Sequence, residues 1–295
     1  MHSDGRSLHY YDVVSADGTR LRAWTNDVDG PTVLLCNGLG TNPHAWPALL
    51  RSDCGVRVVS WNHRGVGGSD RPADPANVGV DAFVEDALAV LDDAGVDRCV
   101  VAGWSIGVNT AFELATLYPA RVSGLFAVAG VPGGTFSSMG APLLLPRPVR
   151  RPIAIGVASA MQHLGRAVTP VTSRLPFGPV AAQLLTHSGF MLPVADTSDV
   201  RRAVKEFLTT PVDWYMHLAR AAAEHPRVSL RSIRVPTTFV AGRYDVLASA
   251  HDMRTAAERI PDAAYVLLAG SHFLQLEHPE HVHEQLLALV GRTTS

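Results

Sequence analysis

The chain has 295 residues, 47 % hydrophobic and 18 % charged, with a formal net charge of −2. Such a composition supplies a large core and excludes a disordered chain. The near-neutral balance excludes the basic field that would recruit nucleic acid. Cys36, Cys54 and Cys99 lack metal-ligand spacing, and their odd number argues against a disulfide framework. The opening Met1-His2-Ser3-Asp4-Gly5-Arg6 has no apolar signal-like stretch. No run of roughly 18 residues is free of charge and proline. A cytoplasmic protein without integral membrane association is expected.

Tyr10–Val14 and Arg20–Thr25 alternate like antiparallel strands around the turn residues Asp17-Gly18. Thr32–Cys36 and Val56–Trp61 are short continuous apolar runs, as for strands buried on both faces. Val80–Ala94 has helical spacing and stops at Gly95. A strand over Arg98–Ala102, a helix over Val108–Leu117 and a strand over Gly124–Ala129 follow. This alternation predicts an α/β fold: a mostly parallel, doubly wound sheet with helices on both faces.

The rhythm breaks after Val131. Residues 132–226 carry many prolines, with helical pieces between them at Ile153–Leu164, Val180–Thr186, Val200–Leu208 and Val212–Ala223. They are read as a helical cap inserted into a core formed by residues 1–131 and 227–295. From Pro236 the alternation resumes with a strand over Thr237–Ala241, a helix over Ala250–Ile260, a strand over Ala264–Leu268 and a closing helix over His281–Val290.

Chemistry concentrates at Gly103-Trp104-Ser105-Ile106-Gly107. Strand, Gly-x-Ser-x-Gly, helix is the context of a nucleophile elbow, which lifts the serine hydroxyl clear of the sheet. A serine needs a histidine base, and the histidine needs a carboxylate to fix its tautomer. On such a sheet these partners follow in the order Ser, Asp, His, in loops after strands. Asp245, after a strand and Gly242, fits the acid position; Asp252 and Asp262 compete for it. His272, after Ala269-Gly270-Ser271, fits the base; His278, His281 and His283 are rivals on a face expected to be solvated. For an oxyanion hole, the Ile106 N–H is the first donor. The Leu39 N–H, in Asn37-Gly38-Leu39-Gly40, is the second candidate. His163, His187 and His217 are read as helix-surface or packing residues. No metal or cofactor site is expected, because His281-x-His283 sets two rings on different helix faces.

With Asn62-His63-Arg64-Gly65-Val66-Gly67-Gly68-Ser69, these motifs resemble the α/β-hydrolase superfamily, in its serine-nucleophile branch with a helical cap. The resemblance implies the α/β-hydrolase fold with an inserted helical cap. Three departures stand out: Asn37 where the family has histidine, Asn62 where it has aspartate, and Val108 where a second glycine often follows the elbow. A serine at the nucleophile position argues against epoxide-hydrolase or haloalkane-dehalogenase chemistry, which uses a carboxylate there. The expected activity is hydrolysis of a small or medium-sized, largely apolar carboxylic ester through an acyl-enzyme. C–C bond hydrolysis, lactone hydrolysis and perhydrolysis reuse the same triad. A ligand receptor on a hydrolase scaffold is the non-enzymatic alternative, which the complete triad disfavours. In the cap, Leu143-Leu144-Leu145 and Ile153-Ala154-Ile155 either wall an acyl site or pack the cap onto the core. The Arg147, Arg150 and Arg151 cluster reads as a solvated basic edge, with an anionic substrate or lipid surface as the alternative.

Overall fold

A computed structural model describes residues 8–134, 147–174, 176–188, 190–226 and 228–294. The hairpin β1 (His9–Val14) and β2 (Arg20–Thr25) leads into β3 (Thr32–Cys36), β4 (Arg57–Trp61), β5 (Cys99–Trp104), β6 (Val122–Val128), β7 (Thr237–Gly242) and β8 (Ala263–Leu268). These strands form one sheet in the order β1-β2-β4-β3-β5-β6-β7-β8. β2 runs antiparallel to both neighbours, and every pair from β4 to β8 is parallel. β4 lies on one side of β3 and β5 on the other. The strand order therefore reverses there, opening a crevice beyond the carboxyl ends of β3 and β5, where ligands of such sheets bind.

The central strands read as unbroken apolar runs because each face of the sheet has its own core. Leu34, Val101, Ala127 and Phe239 share one core with α1 (Val80–Asp93), α2 (Gly107–Leu117) and Met253, Ala256 and Ala257; Val33, Leu35, Ala102, Phe126 and Val240 belong to the opposite core with Leu286 and Leu289. Cys36, Cys54 and Cys99 are free and buried, as small apolar side chains.

Among the described residues, four α-helices lie between β6 and β7: α3 (Arg147–Thr172), α4 (Pro179–Thr186), α5 (Thr197–Phe207) and α6 (Val212–Ala223). The expected piece at Ile153–Leu164 is part of one 26-residue helix that carries Pro152 and Pro170 internally. Both prolines are exposed, and 18 residues place them on the same outward side, where a helix can curve and water meets the freed carbonyls. α6 packs on the core through Trp214, Leu218 and Ala222, which meet Leu39, Phe83 and Ile106. The Trp214 Nε1–H donates to the Arg64 carbonyl at 2.7 Å, and Asn42 Nδ2 donates to the Ala203 carbonyl at 2.9 Å. Ile153 is 50 % exposed, so it neither walls a site nor packs on the core. Leu143, Leu144 and Leu145 lie outside the described residues. The chain ends with α7 (Ala250–Ala257), the short α8 (Leu274–Glu277), unanticipated from sequence, and α9 (Pro279–Thr294). No helix among the described residues is long and apolar enough to cross a membrane.

The loop after β4 is self-contained. Asn62 Nδ2 donates to the Gly67 carbonyl at 2.7 Å, a bond an aspartate could not make. His63 is buried against Phe83, with ring centroids 4.7 Å apart. Burial pushes its pKa down to about 4. The folded state thus binds the proton more weakly than the unfolded chain, whose histidine titrates near 6.5. Stability falls as pH drops from about 6.5 towards 4 and is level above 6.5. At 1.36 kcal/mol per pKa unit the loss reaches about 3 kcal/mol. Urea unfolding of wild type and His63→Gln at pH 7 and pH 4.5 measures it; the variant should lose markedly less stability on acidification.

Candidate active site

Ser105 follows directly on β5 and precedes α2, with φ of +56°. A serine pays on the order of 1–3 kcal/mol for such left-handed backbone, so the surroundings must impose it. They do so by close approach. A Cβ on Gly103 would stand 2.7 Å from the Gly107 carbonyl oxygen, and one on Gly107 would collide with the Cys36 carbonyl at the end of β3. The Ser105 N–H is held by the Val128 carbonyl at 3.0 Å. Glycines on either side thus let β5 turn sharply into α2 against β3 and leave the hydroxyl at the crevice.

The loops after β7 and β8 reach the same point. His272 Nε2 lies 2.8 Å from Ser105 Oγ, and His272 Nδ1 lies 2.9 Å from Asp245 Oδ2. The other carboxylate oxygen, Asp245 Oδ1, accepts the Leu247 and Ala248 N–H groups at 2.8 Å each. Asp245 and His272 are 2 % and 5 % exposed. Both carboxylate oxygens are therefore engaged, which fixes the imidazole's orientation. Asp252 sits in the first turn of α7, and Asp262 pairs with Arg292; neither bonds to His272. Among the rival histidines, His281 is exposed and His278 half-buried, but His283 is buried, contrary to the solvated face expected for it. Valine, leucine and histidine at 282, 286 and 283 all turn inward because α9 lays this side on the second core. Of the histidines in the helical segment, His163 and His187 are exposed and His217 bonds to the Pro75 carbonyl.

Leu39 and Ile106 both line the cavity at Ser105. Among the described residues neither N–H meets a backbone acceptor. Asn37 keeps the Leu39 loop in place: its Oδ1 accepts from the Gly38 N–H at 3.2 Å and from Trp46 Nε1 at 3.0 Å.

Glu277 escaped the sequence reading. Buried on α8, its Oε2 accepts the Ser271 N–H at 2.6 Å. Its Oε1 accepts the Ser271 hydroxyl at 2.6 Å and the Leu192 N–H at 2.7 Å. It thereby ties the histidine loop to the segment between α4 and α5. Trp104 completes the brace by donating Nε1–H to the His272 carbonyl at 2.9 Å. The available signal was a lone acidic residue five positions after His272, in the run Phe273-Leu274-Gln275-Leu276-Glu277.

The cavity over Ser105 has two unequal lobes, and Leu39, Ser105, Tyr215, Leu247 and His272 border both. The larger, about 450 Å³, is walled by Phe177, Leu185, Phe190, Met191, Phe207 and Phe273. Its polar neighbours are already engaged: the Thr41 hydroxyl donates to the Gly38 carbonyl and Asn42 bonds to Ala203. The smaller, about 110 Å³, lies against Val131, Ala219, Ala222 and Ala248. Burial pushes the Tyr215 phenol above its ordinary pKa, so it stays neutral between the lobes.

A family model described as alpha/beta hydrolase fold matches residues 31–279, so the chain belongs to that family and is a hydrolase. It is 23 % identical to 3-oxoadipate enol-lactonase 2 of Acinetobacter baylyi, over 97 % of this chain and 98 % of that protein. It is 26 % identical to epoxide hydrolase A of Mycobacterium tuberculosis, over 93 % of this chain and 95 % of that one. Among solved structures, a thermophilic esterase from Thermogutta terrifontis superposes with a TM-score of 0.68 at 19 % identity, covering 97 % of this chain and 100 % of that one.

Proposed function

We propose that this hydrolase cleaves carboxylic esters through an acyl-enzyme on Ser105, with His272 as base and Asp245 as its orienting carboxylate. The observation that carries the reading is the unbroken relay from Asp245 Oδ2 through His272 to Ser105 Oγ, at 2.9 and 2.8 Å. Ser105 Oγ bonds to the ester carbonyl carbon while His272 Nε2 takes its proton. The carbonyl π electrons move onto oxygen, which the Leu39 and Ile106 N–H groups stabilise; each such donor contributes roughly 3–4 kcal/mol. As the carbonyl re-forms, the C–O bond to the leaving alcohol breaks and His272 returns the proton to that oxygen. Water then attacks the acyl-enzyme, with His272 again as base, releasing the acid and restoring Ser105. No cofactor is needed in any step.

The helices over residues 147–223 act as a cap that selects the substrate by shape. The two lobes differ about fourfold in volume, about 450 against about 110 Å³. One substituent of the ester is bulky and apolar, the other small. A lactone is an internal ester and opens by the same steps; the enol-lactonase relative, matched over 97 % of this chain, favours it as the second reading. Epoxide opening is not supported, because serine stands at the elbow.

A fluorophosphonate probe tests the nucleophile. Expected is one covalent adduct, mapped by mass spectrometry to Ser105 and absent from Ser105→Ala. An unlabelled native enzyme, or labelling that survives the substitution, would sink the proposal. A p-nitrophenyl ester series of increasing chain length should then give turnover that persists into medium chains.

A further inference from the structure

We propose that Glu277 is a positioning residue. It ties the place of His272 to the outer wall of the large lobe, so that the part of the substrate filling that lobe speeds attack by Ser105 as well as tightening binding. Three bonds meet on this buried carboxylate. Oε2 accepts the Ser271 N–H at 2.6 Å; Oε1 accepts the Ser271 hydroxyl at 2.6 Å and the Leu192 N–H at 2.7 Å. The Ser271 oxygen in turn accepts the Phe273 N–H at 3.3 Å. Both chain neighbours of His272 are therefore anchored to Glu277, one directly and one through a single hydroxyl. The contact they hold in place is the 2.8 Å approach of His272 Nε2 to Ser105 Oγ. Reacting groups misplaced by about 1 Å lose on the order of a hundredfold in rate.

The other end of the tie is the lobe wall. Phe190 and Met191 come from the stretch between α4 and α5 and wall the large lobe. Among the described residues, the Leu192 N–H given to Glu277 is the one hydrogen bond that joins residues 188–195 to the rest of the protein beyond α4. The Phe190 ring also meets the Phe273 ring edge-on, with centroids 5.3 Å apart. A substituent filling the lobe packs against Phe190 and Met191 on one segment and against Phe273 and Leu276 on the other. It thus holds together the two segments that Glu277 joins. Binding energy from a part of the substrate that does not react is thereby used to orient the base, the condition under which such energy raises kcat.

A simple tether would not call for an acid. Burying a carboxylate is costly unless its oxygens are satisfied, and a glutamine would fill the same space. An amide, however, has a single acceptor oxygen. The Ser271 and Leu192 N–H groups sit on different oxygens of Glu277, so with glutamine one of them would face an NH₂ group. A carboxylate holds the histidine loop and the lobe wall at once. This role rests on the proposed attack by Ser105 with His272 as base, and on no particular ester.

Labelling of Ser105 by ethyl and decyl fluorophosphonates reads attack by the serine without requiring ester turnover. Rates are taken per labelled site at saturating probe, so protein lost to misfolding does not enter them. The wild type should react about tenfold faster with the decyl than with the ethyl probe. In Glu277→Gln that ratio should fall to about one, with the decyl reaction slowed at least tenfold. Ser271→Ala keeps the backbone bond and loses the hydroxyl link, and should slow both probes about threefold. Glu280→Gln, at an exposed acid paired with Arg51, should match the wild type. A wild-type ratio in Glu277→Gln, with fewer labelled sites, is the mark of a purely structural role and overturns the proposal. So does a wild type that reacts equally fast with both probes. If Glu277→Gln does not fold, Ser271→Ala decides, and wild-type rates in it overturn the proposal. The expected pattern of labelling without turnover of any ester would defeat the ester reading and leave the role of Glu277 standing. A wild type labelled by neither probe would defeat both.

Discussion

Asp245→Asn is expected to lower kcat/KM for a short p-nitrophenyl ester by about ten-thousand-fold while the protein stays folded. The geometry sets the sign and the size. Asp245 Oδ1 is committed to the Leu247 and Ala248 N–H groups, so in the variant the amide oxygen takes that place and the NH₂ faces His272 Nδ1. A donor there forces Nδ1 to become the acceptor and moves the ring proton to Nε2. Nε2 then points a proton at Ser105 Oγ, 2.8 Å away, and cannot take the serine's own. Ser105→Ala should cost at least as much, because the members of such a relay act as a unit and their losses do not add. Asp252→Asn serves as the control and should leave turnover unchanged. If Asp252→Asn produced the loss and Asp245→Asn did not, the acid has been assigned to the wrong loop. Steady-state kinetics, with thermal melts to confirm folding, decide between these outcomes.

The residues of that relay were legible in the sequence for a physical reason: each stands within four residues of the carboxyl end of a parallel strand, and two of those strands, β5 and β7, are buried throughout, the easiest kind to read, while β8 is a half-exposed edge strand. Thr32–Cys36 and Arg20–Thr25 have the bounds their patterns predict, and β5 and β7 extend only one or two residues further. The helical segment was less legible because its signals compete. Proline inside a helical pattern reads as a break, yet Pro152 and Pro170 sit on the outer side of α3, where the missing hydrogen bonds are cheapest. The walls of the large lobe come from residues scattered between Gly38 and Leu276, and no local period can assemble them. Glu277 was hidden for a related reason. Its partners are two backbone N–H groups and a hydroxyl, and backbone partners leave no trace in composition or spacing.

The second large effect concerns stability, at the buried pair Arg64 and Asp86. Both side chains are fully buried. Arg64 Nε lies 2.9 Å from Asp86 Oδ2, and Nη2 lies 2.8 Å from Asp86 Oδ1 and 3.1 Å from the Ser15 hydroxyl. Nη1 donates to the Asn77 carbonyl at 3.0 Å and to Asp17. Burial works against the guanidinium's charge, but the bonds to Asp86 and Asp17 outweigh it and hold the arginine above its ordinary pKa. A guanidinium is too basic to shed its proton at working pH, so Arg64 stays charged when a partner is removed. Asp86→Ala leaves that charge buried without its main counter-ion and is expected to cost about 3–5 kcal/mol in unfolding free energy. Replacing both partners with Arg64→Met/Asp86→Leu should cost clearly less than Asp86→Ala alone, because no uncompensated charge remains. The exposed Arg20–Asp70 pair is the contrast: Asp70→Ala should change stability by no more than about 1 kcal/mol. Urea unfolding of the four proteins tests the ordering, and a double variant less stable than Asp86→Ala would overturn it. The effect reaches the site as well. The Arg64 carbonyl accepts the Trp214 Nε1–H that seats α6, and α6 carries Tyr215, Ala219 and Ala222 on the cavity wall. Asp86→Ala protein that remains folded should accordingly show a raised KM for the ester with kcat changed less, since Ser105, Asp245 and His272 follow β5, β7 and β8, to which the Arg64 side chain makes no hydrogen bond.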